Sequence, residues 1–100
     1  MLTIRETDEF ATWLAALRDH QARARIARRI DRLALGNPGD AKGLGGGLAE
    51  LRIDYGPGYR VYFTRRGSQI VVLLCAGSKR TQQKDTAAAR RLLADMEEEE

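Results

Sequence analysis

Histidine, cysteine and tryptophan occur once each in this chain, and proline twice. No cluster of His, Cys or Asp marks a metal centre, and no motif calls for a cofactor. The lone Cys75 cannot close an intrachain disulfide, which suits a reducing compartment, and inside the apolar run from Ile70 to Ala76 it reads as a small core residue. The chain also lacks any run of about eighteen apolar residues, and any charged-then-apolar leader ending in a small-residue cleavage site. Neither a membrane span nor a signal peptide is expected, and the expected compartment is the cytoplasm.

Acidic residues are scarce outside the C-terminus. Five of the fourteen acids are Asp95 and Glu97 to Glu100, which leaves seventeen bases against nine acids over residues 1–94, an excess of eight positive charges. Fourteen of the seventeen bases are arginine, the side chain best shaped for bidentate phosphate binding. A polyanionic partner follows naturally. A genome that writes Arg where others write Lys would give the same count, and composition does not separate the two.

One hundred residues with 43% apolar content fit one compact domain, taken here as residues 1–96, followed by an acidic tail over 97–100 expected to be disordered. Leu2 to Arg5 alternates weakly, as a short strand does. Asp8 is placed to cap a helix on which Phe10, Trp13, Leu14 and Leu17 form one apolar stripe, with Trp13 a core anchor. A second helix sets Ala22, Ile26, Ile30 and Leu33 on one face and Arg23, Arg25, Arg28, Arg29 and Arg32 around the rest, ending at Gly36. The two make an antiparallel helical hairpin. Asn37 to Asp40 and the glycines Gly43 and Gly45 to Gly47 read as a connecting loop. It is no Walker phosphate loop, because the Gly-Lys-Ser/Thr ending is absent.

From Leu48 the period changes to two. Leu51 and Ile53 alternate with Glu50, Arg52 and Asp54; beyond Gly56-Pro57-Gly58, Tyr59, Val61 and Phe63 alternate with Arg60, Tyr62 and Thr64. Ile70 to Ala76 is apolar on both faces, as in a central or doubly covered strand. A helix from about Gln82 or Asp85 carries Ala88, Leu92, Leu93 and Met96. The expected class is α+β, a small antiparallel sheet packed on the N-terminal hairpin with a C-terminal helix, in the order β-α-α-β-β-β-α.

A three-residue Gly56-Pro57-Gly58 loop would pair Leu51 with Phe63 and Ile53 with Val61, setting Arg52 against Tyr62 and Asp54 against Arg60 on the other face. A two-residue Gly67-Ser68 turn would then send Val72 and Leu74 to the apolar face, and Leu73 and Cys75 beside Tyr62 and Arg60. The same parity beyond Gly77 brings Lys79 to the Gly-Pro-Gly end. Arg52, Arg60, Tyr62 and Lys79 are thus expected on one sheet face, where neighbours two apart along a strand lie about 6.6 Å apart, within reach of one phosphodiester. The plainer alternative pairs Arg60 with Asp54 and leaves Arg52 a solvated strand charge with Glu50 nearby, an arrangement that contributes about 0 to 1 kcal/mol.

Three runs carry a family resemblance: Gly47-Leu48-Ala49-Glu50-Leu51-Arg52-Ile53, Gly56-Pro57-Gly58-Tyr59-Arg60-Val61-Tyr62-Phe63, and Leu73 to Asp85 with Gly77-Ser78-Lys79-Arg80-Thr81-Gln82 at its centre. Together with Phe10, Trp13-Leu14 and the Gly36–Asp40 loop, they resemble the HigB-like addiction-module killer proteins of the RelE/ParE toxin superfamily. The resemblance implies a RelE-like fold and ribosome-dependent, metal-independent mRNA cleavage, which makes the protein an mRNA interferase and endoribonuclease that inhibits translation. It also implies an antitoxin, usually a helix-turn-helix protein through which alone operator DNA is met. Arg52, Arg60 and Lys79 match the basic residues such toxins use. Two departures stand out: Ala76 replaces the usual second glycine, and the site has no histidine.

On this reading Arg52 and Arg60 clamp phosphate, Lys79 serves as base among other cations, and Tyr62 orients the hydroxyl or donates to the leaving oxygen. Arg80 and Lys84, with Arg28 and Arg29, are the candidate RNA-contacting residues, although the second-helix arginines can equally be a solvated face. The competing readings are a ParE-like inhibitor of DNA gyrase and a binding module for RNA or ribosome without chemistry.

Overall fold

The computed structural model describes residues 1–99. A five-stranded sheet has the order β1-β5-β4-β3-β2, with β1 over Thr3–Glu6, β2 over Ala41–Gly45, β3 over Leu48–Ile53, β4 over Tyr59–Arg66 and β5 over Ile70–Ser78. Helices α1 (Asp8–Ala16) and α2 (His20–Ala34) follow β1, and a 3-10 turn at Lys79–Thr81 leads into α3 (Gln82–Glu98). The sheet is mixed, because β1 lies parallel to β5, so the purely antiparallel expectation is corrected.

The polar residue before each helix of the hairpin starts it. Thr7, and not Asp8, caps α1: its hydroxyl accepts from the Phe10 amide at 3.1 Å and donates to the Leu74 carbonyl at 2.5 Å, tying the helix to β5. Asp19 caps α2 by accepting from the Gln21 and Ala22 amides at 3.0 and 3.1 Å. The apolar stripes then bury Phe10, Ala22, Ile26 and Leu33 against Leu51, Ile53, Val61, Phe63, Val71 and Leu73 on one sheet face. Trp13 belongs to that layer, edge-on to Tyr59 with 5.9 Å between ring centroids. Helix α3 covers the other face over Leu48, Tyr62, Val72, Leu74 and Cys75, which explains why β5 is apolar on both sides.

The glycine-rich segment holds a fifth strand where only a loop is expected. Ala41, Lys42 and Gly43 pair antiparallel with Leu51, Glu50 and Ala49, and a register irregularity falls between Gly43 and Gly45. An edge strand needs one good ladder and little burial, so β2 forms on a sequence with no period-two apolar pattern.

Both hairpins differ in loop length from expectation, with different consequences. The β3–β4 loop is five residues, Asp54 to Gly58, so Leu51 pairs with Val61, Arg52 with Arg60 and Glu50 with Tyr62. This slip of two residues keeps the side chains of β3 and β4 on their expected faces, while Asp54 leaves the ladder for the loop. The β4–β5 loop is three residues, since Arg66 pairs with Ile70, and this slip of one inverts the strand: Val71 and Leu73 face the hairpin while Val72 and Leu74 face α3. A bulge at Leu74, between the pairs Phe63–Leu73 and Tyr62–Cys75, restores the expected parity from Cys75 onward.

Helix α3 runs through Glu98, so residues 97 and 98 of the tail expected to be disordered are helical, and Glu100 lies outside the described residues. Among the described residues no helix is long and apolar enough to cross a membrane.

The start of α3 depends on Gly77. A side chain there would lie 2.7 Å from Asp85 Cγ and 2.8 Å from Thr81 Oγ1, and those two side chains are hydrogen-bonded to each other. Ala76, at the position where the resemblance has a glycine, buries its methyl on the hairpin side. Gly77→Ala is expected to cost about 1–3 kcal/mol by forcing the first turn of α3 off the sheet. Adding Asp85→Ala should recover part of the loss, as read by urea unfolding of the single and double variants; equal stability of wild type and Gly77→Ala would show that Asp85 moves aside freely.

Candidate functional site

Strands β3 and β4 bring Arg52 and Arg60 into direct opposition on the α3 side of the sheet. Like charges facing across a ladder repel, and two carboxylates offset that repulsion. Glu50, one alternation back along β3, is 1% exposed and sets its Oε2 3.7 Å from Arg60 Nε. Asp40, at the edge of β2, approaches Arg52 Nε at 3.4 Å. Arg60 is the more enclosed cation, its side chain 13% exposed against 38% for Arg52. Asp54 does not pair with Arg60, because the longer loop carries it to the α2 side.

Lys79 stands at the same end of the sheet. Its amide donates to the Gly58 carbonyl at 2.7 Å, and a Cβ on Gly58 would sit 3.6 Å from Lys79 Cβ. The β3–β4 loop and the 3-10 turn therefore hold each other, and the exposed lysine follows two residues after Gly77, which pairs with Arg60. Arg80 and Lys84 follow on exposed positions.

Tyr62 shares the face but not the surface. It is fully buried under α3, with its hydroxyl 3.5 Å from the Gln82 carbonyl, and burial together with the nearby Glu50 and Asp85 charges pushes its phenol above the usual range, against a hydrogen bond with Thr86. It is a core residue and cannot touch a substrate in this conformation. Cys75 lies beside it on β5; burial first, then the Asp85 and Glu9 charges, push its thiol up to about 12, which removes it as a nucleophile.

Arg28 and Arg29 are not brought to this face. Arg29 donates to the carbonyls of Arg52, Pro38 and Asp40 at 2.5, 2.9 and 2.9 Å, and so braces the loop before β2. Together with Arg25, Arg32, Ile53 and Asp54 they line a separate cleft of about 250 Å³ against α2. Arg25 stacks there on the Tyr55 ring, 4.5 Å from its centroid.

Sequence reasoning placed Glu50 near Arg52 but not against Arg60, and passed over Asp40 and the flank of α3. Lys79, Arg80, Gln82, Gln83, Thr86 and Arg90 line a groove of about 690 Å³ beside the cation cluster. Period two alone places Glu50 with Arg52 and Arg60, so a carboxylate beneath the cations was legible; the groove was not, because it depends on how α3 crosses the sheet. Among the described residues no three His, Cys, Asp or Glu side chains gather as a metal site would require. What remains is an arrangement suited to gripping one phosphate between two guanidinium groups, with an ammonium alongside.

Residues 12–96 match the family described as "Phage derived protein Gp49-like (DUF891)". A protein of Haemophilus influenzae, described only as uncharacterised, is 44% identical over 95 residues, spanning 95% of this chain and 96% of the relative. The family match overturns the assignment of the motifs to the HigB-like proteins: Glu50-Leu51-Arg52 and Gly58-Tyr59-Arg60 are read in a different family. With 85 of its residues inside that match, the chain belongs to the Gp49-like phage-derived family.

Proposed function

We propose that the protein is the toxin of a toxin–antitoxin pair, RelE-like in fold and acting in the cytoplasm, that inhibits translation by cutting messenger RNA on the ribosome. The observation that carries this reading is the cross-strand pair Arg52–Arg60, with Lys79 two residues beyond Gly77, the partner of Arg60 on β5. The RelE-like toxin type of the Gp49-like family supports it. So does the excess of eight positive charges over residues 1–94.

In the proposed reaction the 2'-oxygen attacks the adjacent phosphorus in line and the 5'-oxygen leaves, giving a 2',3'-cyclic phosphate. Arg52 and Arg60 hold the non-bridging oxygens as charge builds on them. Lys79, acting through the lone pair of its neutral amine, accepts the proton of the 2'-hydroxyl and becomes the ammonium. With Tyr62 buried and no histidine in the cluster, the proton for the leaving oxygen comes from solvent. So sparse a set of groups depends on a substrate held in the in-line geometry by something else, which is why the ribosome enters the proposal. A helix-turn-helix antitoxin is the proposed partner, and operator DNA is reached only through it.

The burial of Tyr62 also favours a second reading, an RNA- or ribosome-binding module without chemistry. Mapping transcript 5' ends after brief expression separates them. New ends inside translated regions are expected; halted translation with intact transcripts would establish the second reading, and DNA damage with intact transcripts would point to a gyrase inhibitor.

A further inference from the structure

We propose that the groove on the flank of α3 is a base-reading subsite for single-stranded RNA: Arg80 and Arg90 flank its backbone, and the side-chain amides of Gln82 and Gln83 hydrogen-bond the edge of the base next to the phosphate gripped by Arg52 and Arg60. The inference rests on the RNA reading above and adds to it where sequence selection would come from.

Lys79 lines the groove and follows two residues after Gly77, the partner of Arg60 across the β4–β5 ladder, so a strand lying on Arg60 would have a short path into it. Its lining residues are polar or cationic except Ala87, although aliphatic stems make up much of the surface; Lys79 and Arg80 stand at the start of α3 and Arg90 two turns along it. Arg90 is fixed there by donating to the Leu44 and Gly45 carbonyls at 2.8 and 3.2 Å, so the far wall is rigid. Among the described residues no carboxylate lines it: Asp85, the acid of this turn, points at Thr81 and Gly77. Thr86 is spent on the Gln82 backbone carbonyl at 2.8 Å. By contrast, among the described residues the Gln82 and Gln83 amides and the Lys79, Arg80 and Lys84 cations have no partner.

Two adjacent free amides between phosphate-holding cations are a recognition surface more than a solvated one. Each amide offers a donor and an acceptor, as the edge of an unstacked base requires. The alternative way to hold single-stranded RNA, stacking on aromatic rings, is closed here. No aromatic side chain lines the groove, and Trp13, Tyr55 and Tyr59 all belong to the hairpin layer. Binding through stacking tolerates any sequence, whereas binding through amides discriminates. The subsite should therefore select.

Fluorescence anisotropy with hexanucleotides of A, of C and of U tests this on the full-length protein. Wild type is expected to favour one of the three by about five- to tenfold. The double variant Gln82→Ala, Gln83→Ala should bring the three within about twofold, with the weakest one bound as before. Arg80→Ala should weaken all three alike. Circular dichroism of each variant checks that α3 is retained. Equal wild-type affinities, no binding, or a preference that survives in the double variant would overturn the proposal. A protein that binds selectively but cuts nothing would end the nuclease reading and leave this subsite standing; one that cuts every sequence alike would do the reverse.

Discussion

Replacing Lys79 by alanine is expected to slow RNA cleavage by roughly 10²–10⁴-fold, the range for loss of a proton acceptor, while the melting temperature stays at its wild-type value. The lysine side chain is exposed, and what binds the 3-10 turn to the β3–β4 loop is its backbone amide, which alanine keeps. The companion change must treat Arg60 differently, because alanine there would strand Glu50 as a buried charge. Arg60→Lys leaves a cation beside the carboxylate but removes the planar fork that holds two phosphate oxygens at once. It should lower the rate by roughly 10²–10³-fold, as removal of one donor to a developing anion does. Single-turnover rates of both variants, taken with their thermal unfolding, check the pair. A wild-type rate in either would remove that side chain from the chemistry.

Glu50→Ala should be the most destabilising of the substitutions considered, by about 3 kcal/mol, since removing one partner of a buried pair leaves the other uncompensated. Arg60 then lacks its carboxylate and still faces Arg52 across the ladder. For a domain of this size that is a fall in melting temperature of roughly 12–24 °C. Glu50→Gln keeps the volume and one acceptor and should lose less. If the contribution of Glu50 is to Arg60, the double variant Glu50→Ala, Arg60→Ala will be less destabilised than the two losses added, and a thermal double-mutant cycle reads that difference. Strict additivity would mean that the 3.7 Å contact couples the two side chains to no effect.

The legible part of this molecule was the part written as periodicity. Four residues at helical spacing, Phe10, Trp13, Leu14 and Leu17, located the helix and its buried side, and alternation along β3 and β4 put Arg52 and Arg60 on one face for a loop of either three or five residues, since a slip of two preserves parity. The same logic failed at β5, where one extra loop residue inverts the strand and a bulge at Leu74 inverts it back. Neither leaves a mark in a run apolar on both faces. Strand β2 escaped notice because its pairing comes from the backbone of a glycine-rich segment. Tyr62 sat on the expected face, but exposure depends on what lies above it, and the crossing of α3 is a tertiary fact. The motifs themselves pointed to HigB-like toxins, and the family match corrects that. Short runs such as Glu50-Leu51-Arg52 are compatible with several small toxin-like families, whereas a match over residues 12–96 is not.

The central claim, that an arginine pair on a sheet face grips and helps break a phosphodiester, is tested most directly by incubating purified protein with a short end-labelled message, with and without ribosomes carrying it. Cleavage to a 2',3'-cyclic phosphate is predicted only when ribosomes are present, and only residual cleavage when Arg60→Lys or Lys79→Ala replaces the wild type. A message that stays whole on ribosomes occupied by the wild-type protein would contradict it.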